Sequence, residues 1–104
     1  MSLDLTIYAV VEAEVFDTNI THNLSRMWDV VGVYDALYES EGKRPGDYIE
    51  VLRAGVADME ANPDKYEALN SPNGWGTYKH ALPWLKEVLA AYEQYPDGRI
   101  GVCG

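Results

Sequence analysis

Several residue types are scarce in this 104-residue chain, and each shortage excludes something. Cys103 is the sole cysteine, so no intramolecular disulfide can form. It reads as a small strand residue, not a nucleophile. His22 and His80 are the only histidines, and with one cysteine they give no zinc-type ligand spacing. No carboxylate is singled out to complete a metal site, and no cofactor is expected. Cations are few, eight against seventeen acids, for a net charge of -9. Affinity for nucleic acid rests on cationic contacts to phosphate, so direct binding is not expected. The acids are spread along the chain: eight against three bases in residues 1–46, nine against five in 47–104. Solubility explains that spread. A decoy imitating the phosphate backbone is the sharper reading of the same charge.

No apolar run approaches the ~20 residues of a membrane span, so no membrane partner is expected. The start, "MSLDLTIYAVVEAEVF", has no basic segment and carries acids within its apolar stretch, unlike a signal peptide. A cytoplasmic location is therefore expected, which leaves the glycosylation patterns at Asn19 and Asn23 idle.

Eight tyrosines and three tryptophans argue for a folded chain, and the length argues for a single domain over 1–104. Residues 3–16 alternate. Leu3, Leu5, Ile7, Ala9, Val11, Ala13 and Val15 share one face, which predicts one long strand. "DTN" at 17–19 reads as the turn that ends it. Leu24, Met27, Trp28 and Val31 are spaced for a helix, capped by Thr21 or Asn23, and "VYDALY" adds a turn or two after Gly32. Asp47 and Glu50 fit a capping box before a helix burying Tyr48, Val51, Leu52, Val56 and Met59. Asn62-Pro63 starts a short helix carrying Tyr66 and Leu69. The last helix places Tyr78, Leu82, Leu85, Leu89 and Tyr92 on one face, with Ala81 and Val88 beside them. Pro83 either delays its regular start to His80 or kinks an initial turn from Thr77. "YPDG" at 95–98 is a turn and "RIGVCG" a terminal strand.

The expected fold is α+β: a long N-terminal strand paired with a short C-terminal one over 99–103, and three to five helices on one face. The longer strand would leave unpaired edge, which predicts a homodimer with a continuous sheet.

Two polar segments stand out. "PNGWGTY" keeps Trp75 between Gly74 and Gly76, in backbone too broken for a core element. Thr77 is placed to cap the next helix, and its exposed N–H groups would suit an anion or polar ligand with Trp75 as a stacking wall. It is not a P-loop, since no Gly-Lys-Ser/Thr follows. The plain alternative is that Trp75 folds back to plug the core. "NITHNL" places Thr21, His22 and Asn23 where strand gives way to helix. His22 could act as acid or base, or all three could serve only as caps and backbone partners. Ser25 lies near His22 in sequence, but no third partner completes a triad. Glu12 and Glu14 share a strand face that solvation explains.

"NITHNL", "GVYDALY" and "NGWGTY" together resemble a family of small proteins found mainly in bacteriophages and prophages. The resemblance runs from about residue 7 to residue 102. Its sharp motifs are held by Thr21, His22, Asn23, Asn73, Gly74, Trp75, Gly76, Thr77 and Tyr78. It implies origin in a bacterial host and fold, but no reaction. Members typically lack proline at the position of Pro83, which puts the straightness of the last helix in question.

The expected function is an accessory protein that binds a small polar ligand or a host protein through those nine residues, without catalysis. A small enzyme using His22 as general acid or base is the alternative, and a minor virion component a third. One site requires the two motifs to converge. A clasp, with Trp75 packed on His22, is the structural alternative.

Overall fold

The alternating N-terminal stretch turns back on itself. The computed structural model describes residues 2–9 and 13–103, and in it residues 3–16 are not one strand. β1 (Ser2–Tyr8) and β2 (Glu14–Thr21) run antiparallel, and Ala9 N–H donates to Ala13 C=O at 2.7 Å. The "DTN" segment belongs to β2: Asp17 pairs with Thr6, Thr18 with Leu5 and Asn19 with Asp4. The ladder shifts register beyond Ile7↔Phe16, where Tyr8 pairs with Glu14 and Val15 is the extra residue of a bulge.

β3 (Arg99–Cys103) lies antiparallel on the other side of β1, giving the order β2-β1-β3. The two ends of the chain therefore pair as expected. Leu3, Leu5 and Ile7 are fully buried, as is Ile100 opposite Ile7. Val11, expected on the same face, lies outside the described residues.

Five helices cover this apolar face: α1 (Ser25–Val31), α2 (Tyr34–Tyr38), α3 (Ile49–Ala61), α4 (Pro63–Glu67) and α5 (Tyr78–Gln94). The fold is α+β. Gly32 closes α1 and Pro63 opens α4, both as the residue types demand. The Asp47–Glu50 capping box does not form. A 3₁₀ turn over Pro45–Tyr48 moves the start of α3 to Ile49, and Glu50 pairs with Arg53 instead. Val51 is exposed, whereas Leu52, Val56 and Met59 are buried. Asn62 precedes Pro63 as expected, but its amide donates back to Asp58.

α5 buries Ala81, Trp84, Leu85, Val88, Ala91 and Tyr92, while Tyr78, Leu82 and Leu89 are only partly buried. Its inward face is thus turned from the expected one, towards Trp84. Trp84 packs on Trp28 with the rings tilted by 39° and centroids 5.5 Å apart, and donates from Nε1 to Thr18 Oγ1 at 3.0 Å. Pro83 sits inside α5 on the exposed side, and the helix is continuous from Tyr78. There the carbonyl its ring leaves without an N–H partner can be hydrated.

The unpaired edge expected on the N-terminal strand does not lie on β1, because β2 takes up one side of it and β3 the other; β2 is the outer strand instead. The outer edge of β3 is itself covered. Gly42 N–H donates to Ile100 C=O, Ile100 N–H to Lys43 C=O, and Val102 N–H to the Glu41 carboxylate.

α3 and α4 are tied by Tyr66, whose hydroxyl donates to Asp58. That bond, helped by Lys65 at 3.5 Å, holds the Asp58 carboxyl below the usual carboxylate range. Burial and the same carboxylate push the Tyr66 phenol up to about 12. A depressed folded-state value means that the stabilisation is present above the unfolded value, about pH 4, and is lost as pH falls through the folded one. Unfolding free energy is expected to fall less steeply below about pH 4 in Tyr66→Phe than in wild type. Parallel acid-unfolding curves for the two proteins would show that the bond contributes nothing.

Candidate functional site

β2 delivers Thr21 to the corner where strand becomes helix. Thr21 keeps extended backbone, and its Oγ1 accepts from Asn23 N–H at 3.2 Å, capping a 3₁₀ turn over His22–Leu24 that runs into α1. The capping role expected of Thr21 is therefore met by a side chain that also faces a cavity.

His22 is half-buried, and its Nδ1 lies 2.9 Å from the Tyr38 hydroxyl. The Tyr38 ring stacks on Tyr34 at 4.5 Å, and burial, together with Tyr34, raises its pKa. The phenol therefore stays protonated through neutral pH. It is a stronger acid than a neutral imidazole N–H, so on relative acidity the hydroxyl is assigned as donor to Nδ1.

The second motif forms a loop bonded to itself. Asn73 Oδ1 accepts from Ser71 Oγ at 2.7 Å and from Trp75 N–H at 2.9 Å, and Ser71 N–H donates to Gly76 C=O. Gly74 has φ +78° and Gly76 φ +102°. A Cβ on Gly76 would lie 3.0 Å from Asn23 Cβ and 3.2 Å from Thr21 Cγ2. The loop thus rests directly on the Thr21–Asn23 corner, and glycine is needed there twice over, for its backbone angle and for its missing side chain. Gly76→Ala is expected to destabilise by about 1–3 kcal/mol, read by urea unfolding. An unchanged midpoint would contradict this contact.

Between the two motifs lies an open cavity of about 490 Å³, lined by Ser2, Thr21, His22, Asn23 and Trp75. Trp75 is 71% exposed, so it is not a plug for the core. Nor is it a clasp on His22, whose ring partner is Tyr38, centroids 5.6 Å apart. The two segments, separated by about fifty residues, meet at one place.

The other motif residues do not line this cavity. Asn73 and Gly74 shape the loop behind Trp75. Thr77 Oγ1 lies 3.0 Å from His80 Nδ1 and does not cap α5. Asn70 Oδ1 accepts Tyr78 N–H instead, and His80 N–H donates to Thr77 C=O. The anion cradle expected at this helix start is thus largely occupied by the protein's own acceptors. Tyr78 stacks on Tyr66 and donates from its hydroxyl to Met59 C=O at 2.6 Å. Its part is to hold α5 against α3 and α4.

Ser2 and Tyr38 were not foreseen. Ser2 enters the lining because it pairs with Thr21 across the hairpin. Nothing in its sequence neighbourhood signals that pairing.

Among the described residues, no group of three or more His, Cys, Asp or Glu side chains is placed to hold a metal ion. Comparison with protein-family models, with curated proteins and with solved structures finds no match.

Proposed function

We propose that the chain is a phage- or prophage-type accessory protein of the bacterial cytoplasm that binds a small, flat, polar ligand without catalysis. The observation that carries the reading is the exposed face of Trp75 beside His22 and Asn23 in one open cavity. A flat apolar wall with a few convergent polar groups is the usual form of a small-molecule site. The motif resemblance supports the origin. No helix of the described residues is long and apolar enough to cross a membrane.

The Tyr38 hydroxyl occupies His22 Nδ1, which leaves Nε2 as the ring nitrogen available to a ligand. Asn23 adds an amide that both donates and accepts. A planar heterocycle with polar edges matches this set.

Neutral nucleosides and nicotinamide are the probes, titrated while the Trp75 indole N–H resonance is followed. Saturable shifts at Trp75, His22 and Asn23 are expected for at least one probe. Trp75→Ala should weaken that binding by about 1–3 kcal/mol, the usual worth of an aromatic stacking partner. No shift at millimolar concentration for any probe would overturn the small-ligand reading and leave the motif face to a host protein.

A further inference from the structure

The cavity beside Trp75 has a neighbour. Across Asn23 lies a second depression of about 360 Å³, bordered by Arg26, Leu69, Asn70, Ser71 and Pro72. Asn23 stands in the walls of both. Asn23 and Arg26 are three residues apart where the 3₁₀ turn enters α1, a spacing that puts side chains on one helical face. Residues 70–72 lead straight into the Trp75 loop, so one backbone segment walls both spaces.

Charge sets this region apart. Seventeen acids compete for eight bases in this chain, and most of the bases are engaged. Arg44 pairs with Asp97, Arg53 with Glu50 and Glu93, Lys65 with Asp58, Lys86 with Glu60 and Arg99 with Glu41. Arg26 is exposed and has no ion-pair or hydrogen-bond partner among the described residues. Neither depression is lined by an aspartate or glutamate. Three further surface depressions border Glu41, Asp97, and Asp29 with Asp35. An unpaired guanidinium beside a depression lined by no carboxylate is a place where a strongly acidic surface can hold an anion. Its planar fork suits phosphate or carboxylate.

We infer that the two depressions form one bipartite site for a small molecule with a flat heteroaromatic ring and an anionic group, of the nucleoside monophosphate class. The ring lies on Trp75 with its polar edge towards His22 and Asn23. The phosphate reaches over Asn23 to Arg26. This rests on the ligand-binding reading above and adds the anionic half. The chain's net charge of -9 opposes any anion at long range, so the site selects a ligand small enough to be held by the local cation.

Calorimetric titration separates the two halves, using nucleosides, their 5′-monophosphates and inorganic phosphate. At least one monophosphate is expected to bind about tenfold tighter than its nucleoside at low salt, the usual worth of one charged hydrogen-bonded contact. The advantage should shrink as salt is added. Arg26→Gln should abolish it while leaving nucleoside affinity and the melting temperature unchanged. Trp75→Ala should weaken nucleoside and monophosphate alike. If monophosphates bind no tighter than nucleosides, or Arg26→Gln loses nothing, the bipartite site is wrong and the Trp75 site stands. If free phosphate binds as tightly as the monophosphates, the region is a bare anion site and the inference fails. If neither nucleosides nor monophosphates bind, the bipartite site is wrong, and the Trp75 reading falls with it only if nicotinamide fails to bind as well.

Discussion

Trp28→Ala is expected to lower the free energy of unfolding by about 3–5 kcal/mol, the range for deleting a large aromatic from a core. Trp28 is fully buried and packs against the tilted ring of Trp84, which is itself bonded to Thr18 of β2. The truncation therefore opens a cavity under helix and sheet at once. Against a total stability of about 5–15 kcal/mol, such a loss brings the chain near unfolding at room temperature. Trp28→Phe should lose much less. The Trp28 Nε1 donor is buried without an acceptor among the described residues, and phenylalanine removes that unpaired group. Trp75→Ala, in the same urea titration, should move stability by no more than about 0.5 kcal/mol, as exposed positions do. Equal losses at Trp28 and Trp75 would mean that Trp75 is a core residue, and the site built on it would collapse.

Gly98→Ala is expected to cost about 3 kcal/mol, at the upper end of overpacking penalties. A Cβ there would sit 2.6 Å from the backbone oxygen of Tyr8 and 2.8 Å from Ile7 Cγ2. A backbone oxygen in a ladder cannot swing aside as a side-chain tip can. Relief requires β3 to part from β1 at the Tyr8↔Arg99 pair. Alanine also stiffens the unfolded chain, a gain of at most about 1 kcal/mol, which the overlap outweighs. Denaturant unfolding together with hydrogen exchange at Ile100 and Ile7 measures both effects. A neutral or stabilising alanine would contradict the close approach of the turn to β1.

That glycine shows where sequence patterns stop being informative. "YPDG" reads as a turn, and Gly98 N–H does bond to Tyr95 C=O at 3.2 Å. The stronger demand on Gly98 comes from Tyr8, ninety residues earlier, and no local pattern carries it. The N-terminal hairpin failed to register for the opposite reason. Apolar alternation runs on through Ala9, Val11 and Ala13 without glycine, proline or asparagine to mark a reversal. Polar residues at 17–19 looked like a turn because their partners lie elsewhere: Thr18 accepts from Trp84, and Asp17 from Thr6 Oγ1 at 3.1 Å. On α5, counting apolar residues favoured the Tyr78–Leu82–Leu89 side. The size of Trp84, with Trp28 waiting opposite, turns the helix the other way. The meeting of the two motifs was legible, though only Thr21, His22, Asn23 and Trp75 of them line the cavity. Glycines flanking a tryptophan and a polar strand-to-helix corner are both locally costly, and local cost without local benefit points to a distant partner. Ser2 and Arg26 carry no such mark, and only the hairpin and the turn into α1 reveal them.

The middle place of β1 bears on the order in which the molecule comes together. β1 and β2 are neighbours in sequence and can zip as a hairpin soon after both are made. The other ladder joins Leu5 to Val102, so it must wait until the whole stretch between them has been made. Closing so long a loop is slow, because its entropy is spent before the contacts repay it. Throughout that interval β1 shows a bare row of backbone donors and acceptors beside Leu3, Leu5 and Ile7, a template for strands of other chains. A chain stopped short of Arg99 would keep that template permanently. The few residues of β3 thus act as a closing seal, protecting β1 from its neighbours in a crowded cell.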